Sequence, residues 1–193
     1  MKYTVTITGP GADDREKIVL ESRAGESARH IALKILAYVL YRDRTGGLPL
    51  RIEQRAGHQR HKPDLVATDP ETGRVRLWID CGQIETKRLG RIAAVNAGAR
   101  VVVVKPGETE ARLYGLAALR YLPPLGHPGA AQSVSFLGFE EPFFDAFLAR
   151  LRGTNTLQVG WQETGASLTL EWNDETLATT LRPLDAAALA RQG

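Results

Sequence analysis

KPDLVATDPETGRVRLWIDCGQIETK, residues 62–87, decides how the chain is read. Asp64 to Thr68 is a short, largely apolar run, and Asp69-Pro70-Glu71-Thr72-Gly73 supplies the Pro and Gly chemistry of a tight connection. Arg74 to Gly82 makes a second arm. The stretch therefore reads as a β-hairpin with an acid on each arm. With the turn centred near Glu71 or Thr72, Asp64 comes opposite Asp80 or within one diagonal step of it. Directly opposed side chains sit about 5 Å apart and like charges there repel, so something must compensate. A bound cation is the obvious candidate, and two hard oxygen ligands on one sheet face suit Mg²⁺ or Mn²⁺.

Upstream, Arg51 to Lys62 carries Arg51, Arg55, Arg60 and Lys62 against the single acid Glu53, with His58 and His61 interspersed. A solvated loop is the ordinary reading of such a run. Its direct entry into a carboxylate hairpin favours a phosphodiester partner, whose counterions Lys and Arg replace. His58 and His61 have a spacing that zinc tolerates, but no further His lies nearby and oxygen dominates the chemistry. Before this run, Glu26 to about Arg42 has helical periodicity in Ile31, Ile35, Tyr38 and Val39, widened by Leu33, Leu36 and Leu40, so the helix should be heavily buried. Glu26 falls in its first turn, where the helix dipole favours an acid. The amino terminus gives two strands, Lys2 to Thr8 by strict alternation and Lys17 to Ser22 as its return, broken by Gly9-Pro10-Gly11.

Downstream, Ile84 to Ala97 reads as a helix ended by Gly98, with Lys87, Arg88 and Arg91 on one face. The apolar run Val101 to Val104, within a strand from Arg100 to Lys105, reads as buried on both faces. A helix joining two such strands makes a parallel crossover. Glu108 to Tyr121 is helical, with Gly115 weakening it, and Pro123-Pro124 with Gly126-His127-Pro128-Gly129 forms a loop. Ser133 to Phe139 is a strand, and Glu140-Glu141-Pro142 opens a helix whose apolar side is Phe143, Phe144, Phe147, Leu148 and Leu151. Three strands close the chain, Thr156 to Gln162, Ser167 to Trp172 and Thr176 to Arg182, joined by turns at Gly165 and Asn173-Asp174. They read as an antiparallel appendix in which Trp161 and Trp172 pack. Asp185 to Gly193 is expected to fray.

The 193 residues fit one domain with a sizeable core. It comprises an N-terminal hairpin in 1–22, a motif-bearing core in 26–105 and C-terminal strands in 155–184. A hydrophobic fraction of 43% with 24% charged residues argues against disorder. A net charge of +3 permits a nucleic-acid partner without demanding one. The single cysteine, Cys81, excludes an intramolecular disulfide and a four-Cys zinc site. The alternating start has no signal-peptide layout and no apolar run reaches the roughly 18 residues of a membrane span, so a cytoplasmic address is expected.

Pro63-Asp64 followed by Asp80 and Gly82-Gln83 resembles the PD-(D/E)XK nuclease superfamily, and within it the YaeQ family of bacterial proteins. The resemblance rests on Gly25-Glu26-Ser27, Pro63-Asp64-Leu65, Leu77-Trp78-Ile79-Asp80-Cys81-Gly82-Gln83 and Lys87-Arg88, and spans most of the chain. It implies a restriction-endonuclease-like mixed α/β core, a sheet flanked by helices, and a Mg²⁺- or Mn²⁺-dependent nuclease or phosphodiesterase. Asp64 and Asp80 would hold the metal with the Cys81 backbone carbonyl, and Glu26 would add a third carboxylate. The superfamily's catalytic lysine, two residues beyond the second acid, is replaced by Gly82. Gln83 and Lys87 are the candidates to take over its work, and Arg55, Arg60, Lys62, Arg88 and Arg91 to bind nucleic acid. Two other readings remain open: a catalytically inactive binding module for nucleic acid on the same scaffold, and a protein-interaction module that binds neither metal nor nucleic acid. Oligomeric state has no sequence signal.

Overall fold

The computed structural model describes residues 1–9, 14–57, 59–124, 133–161 and 167–191. Pro10-Gly11, His58, the Gly126-His127-Pro128-Gly129 loop, Gln162, the Gly165 turn and Gly193 lie outside the described residues, as does the Trp161 side chain. In chain order, β1 (Lys2–Thr8) and β2 (Arg15–Glu21) form the first hairpin. The helix α1 (Ala28–Tyr41) follows, then a short β3 (Arg51–Ile52), β4 (Leu65–Thr68) and β5 (Val75–Cys81). Next come α2 (Thr86–Val95), β6 (Arg100–Gly107), α3 (Glu108–Ala118), β7 (Val134–Phe139) and α4 (Phe143–Ala149). The chain closes with β8 (Thr154–Trp161), β9 (Ser167–Trp172), β10 (Glu175–Thr180), β11 (Leu184–Asp185) and α5 (Ala186–Ala190).

These elements make two mixed sheets flanked by helices. The six-stranded sheet runs β11-β7-β6-β5-β4-β3, with β5, β6 and β7 parallel to one another and antiparallel partners at both sides. Its parallel centre follows from the α2 and α3 crossovers, since strands linked through a helix return in the same direction. Along β5 and β6 the side chains alternate between two cores. Leu77, Ile79, Cys81, Val102 and Val104 join α1 and α4, whereas Trp78, Val101 and Val103 join α2, α3 and α5. Both faces are covered, as the continuous valine run requires. Every residue of α1 from Ile31 to Tyr41 is buried, because the five-stranded sheet packs in the same core through Val5, Ile7, Leu157, Leu168 and Leu170.

The C-terminal strands are not an appendix. β8 lies parallel to β1 from Thr4↔Thr154 to Thr8↔Gln158, giving one sheet of order β10-β9-β8-β1-β2. Asp185 to Arg191 does not fray either: β11 pairs with β7, and α5 buries Ala186 and Leu189. Gly115 does not weaken α3 but lets it approach the sheet, for a Cβ there would come within 2.7 Å of Leu189 and 2.8 Å of Phe136. Ser27 caps α1 by accepting from the His30 N–H, so Glu26 precedes the helix rather than lying in its first turn.

Candidate functional site

The hairpin forms with the expected register. Leu65 pairs with Ile79, which makes Asp64 and Asp80 the next cross-strand pair, and the Asp64 N–H donates to the Ile79 carbonyl at 3.0 Å. Asp69 closes the turn by accepting from the N–H groups of Glu71 (3.0 Å) and Thr72 (3.1 Å). Beyond the open end of the hairpin lies a cleft of ≈ 790 Å³ between α1, the segment from Glu53 to Asp64 and the ends of β5 and β6.

Asp64 turns toward α1. Its Oδ2 accepts the Cys81 N–H at 2.7 Å, and its Oδ1 lies 3.0 Å from His30 Nε2 and 3.5 Å from Lys34 Nζ. Lys34 is 3% exposed along its side chain and also reaches Glu26 Oε1 and Glu53 Oε1, each at 2.5 Å. Glu26 and Glu53 accept hydrogen bonds from the ammonium, and Asp64 adds its charge at 3.5 Å. Burial works against the charged lysine, but Glu26, Glu53 and Asp64 outweigh it and hold its pKa above the ordinary value. The same balance acts in reverse on Glu53: burial raises its pKa, yet Lys34, Lys62 and Arg23 bring it below the usual carboxylate range. Glu53 sits in the left-handed region with φ 53°, a conformation that costs energy away from glycine and persists only where surroundings hold it.

Asp80 turns the other way. It does not line the cleft, is 5% exposed, and accepts the Trp78 indole N–H at 2.9 Å on the α2 and α3 side of the sheet. Burial pushes its pKa up to about 6, with the Asp64 charge adding to the effect and the Trp78 hydrogen bond opposing it. Gly82 ends β5 with φ +71° and donates its N–H to the Val104 carbonyl at 2.8 Å, so the strand pattern stops at the residue where the superfamily lysine would stand. Gln83 lines the cleft. Lys87 is directed elsewhere, its Nζ lying 5.9 Å from the centre of the Tyr121 ring.

The basic residues partly converge. Arg60, His61, Lys62 and Arg88 line the cleft together with Arg23 and Arg29, whereas Arg55 and Arg91 are exposed and outside its lining. Burial and the guanidiniums of Arg88, Arg91 and Arg60 hold the His61 pKa below the ordinary imidazole value. Arg88 Nε is buried and has no acceptor among the described residues.

The family profile described as YaeQ protein matches residues 13–180. The chain belongs to the YaeQ family. Two crystal structures share its fold. The YaeQ protein from Xanthomonas axonopodis pv. citri superposes with a TM-score of 0.68 at 19% identity, over 94% of this chain and 96% of that one. The YaeQ protein from Pseudomonas syringae gives 0.69 at 16% identity, over 95% and 94%. No curated protein matches the chain.

In this YaeQ-family cleft the residues do not fit a resident Mg²⁺ or Mn²⁺ as they are arranged. All six oxygens of Glu26, Glu53 and Asp64 already have partners, for Glu26 Oε2 accepts the Arg23 N–H at 3.1 Å and Glu53 Oε2 meets Arg23 at 2.5 Å and Lys62 at 3.3 Å. The charges of the three acids are matched by Lys34, Arg23 and Lys62. Asp80 faces away, Cys81 meets Asp64 through its N–H, and no three His, Cys, Asp or Glu side chains are grouped for a metal among the described residues. Sequence reasoning missed His30, Lys34 and Glu53. A signal existed for two of them: Glu26, His30 and Lys34 follow at intervals of four, and Lys34 is the sole charge between Ile31 and Tyr41. Glu53 has no such signal, because only tertiary contact brings it to α1. No helix among the described residues is long and apolar enough to cross a membrane.

Proposed function

We propose that the six-stranded sheet with α1 is a scaffold of the PD-(D/E)XK nuclease kind and that its cleft binds the phosphodiester backbone of nucleic acid. The scaffold reading is supported by the antiparallel β4–β5 hairpin joined to parallel β6 through α2, with paired acids at its open end. One observation carries the binding reading: Arg60 and Arg88, from different elements, meet around His61 at the cleft, and Arg88 Nε is a buried donor without an acceptor among the described residues. Buried donors are seldom left unpaired, and a phosphate oxygen would complete this one.

Fluorescence anisotropy of a labelled single-stranded oligonucleotide against salt tests it. Neutralisation of three phosphates by Arg60 and Arg88 at the cleft and Arg91 beside His61 gives a slope of about −2 in log K against log salt. Combining Arg60→Ala with Arg91→Ala, both at exposed positions, should flatten that slope by about 1 to 2 without unfolding the protein. Binding should survive EDTA. Affinity that stays constant from low to moderate salt would sink the reading.

A second reading, hydrolysis of the bound phosphodiester, is favoured by the 3.0 Å contact of His30 with Asp64. An imidazole oriented by a carboxylate is the arrangement of general acid–base catalysis. Asp64 would fix the ring, which is 32% exposed on its cleft side, and the ring would move a proton to or from the attacking water or the leaving oxygen. Oligonucleotide cleavage that disappears in both His30→Ala and Asp64→Asn supports it, whether or not Mg²⁺ or Mn²⁺ is added. Cleavage that persists in both variants removes it.

A further inference from the structure

The carboxylates Glu26, Glu53 and Asp64 come from three separate segments yet aim one oxygen each at a single point. Three acids converging in this way ordinarily surround a cation. Here the cation belongs to the chain: the Lys34 ammonium stands at that point, with its stem inside the apolar wall of α1. Its neighbours along that helix, Ile31, Leu33, Ile35 and Leu36, are all buried. The other oxygens of the trio are closed off by Arg23, Lys62 and the Cys81 N–H.

We propose that Lys34 is the resident cation of this site, so that the native cleft takes no divalent ion, and that removing its charge uncovers a latent site for a hard divalent cation at Glu26, Glu53 and Asp64. A divalent ion entering the native site would have to displace the ammonium from Glu26 and Glu53, the two carboxylates that hold it at 2.5 Å. With Lys34 neutral, the trio is short of positive charge; its three oxygens are not grouped for a metal in the native arrangement and would draw together on Mn²⁺ or Mg²⁺, with water filling the rest of the shell. The proposal stands apart from nucleic-acid binding, because every step of its test is done without nucleic acid.

Mn²⁺ is titrated into the full chain by calorimetry, with thermal unfolding followed in parallel, for the native protein, Lys34→Met and Lys34→Gln. The native protein is expected to show no saturable Mn²⁺ binding and no Mn²⁺-dependent change in Tm. Each variant is expected to bind one Mn²⁺ at least about tenfold more tightly than the native chain, with a Tm that climbs as Mn²⁺ is added. Adding Glu53→Gln to Lys34→Met should remove the gain. Saturable Mn²⁺ binding by the native protein that is lost in Asp64→Asn would overturn the first half. Variants that bind no better than the native chain, or that fail to fold with and without Mn²⁺, would overturn the second.

Discussion

Asp80 and Asp64 are cross-strand neighbours of the same residue type, and their partners have given them different work. Asp64 is paired with His30, Lys34 and the Cys81 N–H, while Asp80 is deeply buried, accepts one indole N–H and has the Arg88 charge nearby. The sequence shows both acids and their pairing, but not this division, because a side chain's direction is set by partners that come from elsewhere in the chain. The division can be tested by titration. The Asp80 carboxyl has an ordinary value of 3.8 and a folded value of about 6. Between those values the folded chain holds the proton and the unfolded chain has released it, so this group's contribution to stability falls as pH rises from about 4 to 6 and is flat above. A rise of that size corresponds to about 3 kcal/mol. Asp80→Asn keeps an oxygen for Trp78 and removes the titration. Urea unfolding at pH 4 and pH 7 should therefore show the variant gaining on the native protein by about that amount at the higher pH. Parallel pH profiles for the two proteins would mean that Asp80 is not held neutral in the fold.

The ends of elements, more than their middles, decide what the cleft contains. β1 and β9 were legible to the residue because each carries several periods of alternation. β3 and β11 have two residues each, too few for any periodicity to register, and the sequence places β3 within the basic run. Yet β3 sets Glu53 beside Lys34, so one of the shortest strands positions one of the three acids. β5 ends as it does because of Gly82. Its φ of +71° takes the chain out of the strand, and a Cβ there would meet only Leu33 at an ordinary 3.6 Å, so the backbone angle alone dictates glycine. The left-handed conformation costs an L-residue about 1–2 kcal/mol, less for Asn, which visits it more readily. Gly82→Ala should thus lower stability by about that amount and Gly82→Asn by clearly less, as read from denaturant midpoints. Equal losses would point to packing against Leu33 instead.

The two sheets are tied by α1, which is buried among side chains of both, and the five-stranded sheet is closed by a knot of hydrogen bonds between β1 and β8. Alternation in the sequence revealed the strands at both ends of the chain but could not show that β8 lies parallel against β1, since nothing local records a partner about 150 positions away. Asn155 holds that seam. It is 1% exposed, its Nδ2 donates to the carbonyls of Thr4 (3.2 Å) and Arg152 (2.6 Å), and its Oδ1 accepts from the Arg152 N–H (2.8 Å) and Asn173 Nδ2 (3.0 Å). All its donors and acceptors are thereby used. Asn155→Ala strands several buried groups, each costing about 1–3 kcal/mol when left unpaired, and a total loss of about 2–4 kcal/mol is expected after local rearrangement. How the loss appears distinguishes one folding unit from two. Because α1 shares its core with both sheets, Asn155→Ala should move the whole urea transition to lower denaturant as a single step. In chains with Trp161 and Trp172 replaced by Phe, far-UV circular dichroism and the fluorescence of the remaining Trp78, in the other sheet, should shift together. A Trp78 signal that stays in place while the remainder of the transition moves would show that the five-stranded sheet unfolds on its own.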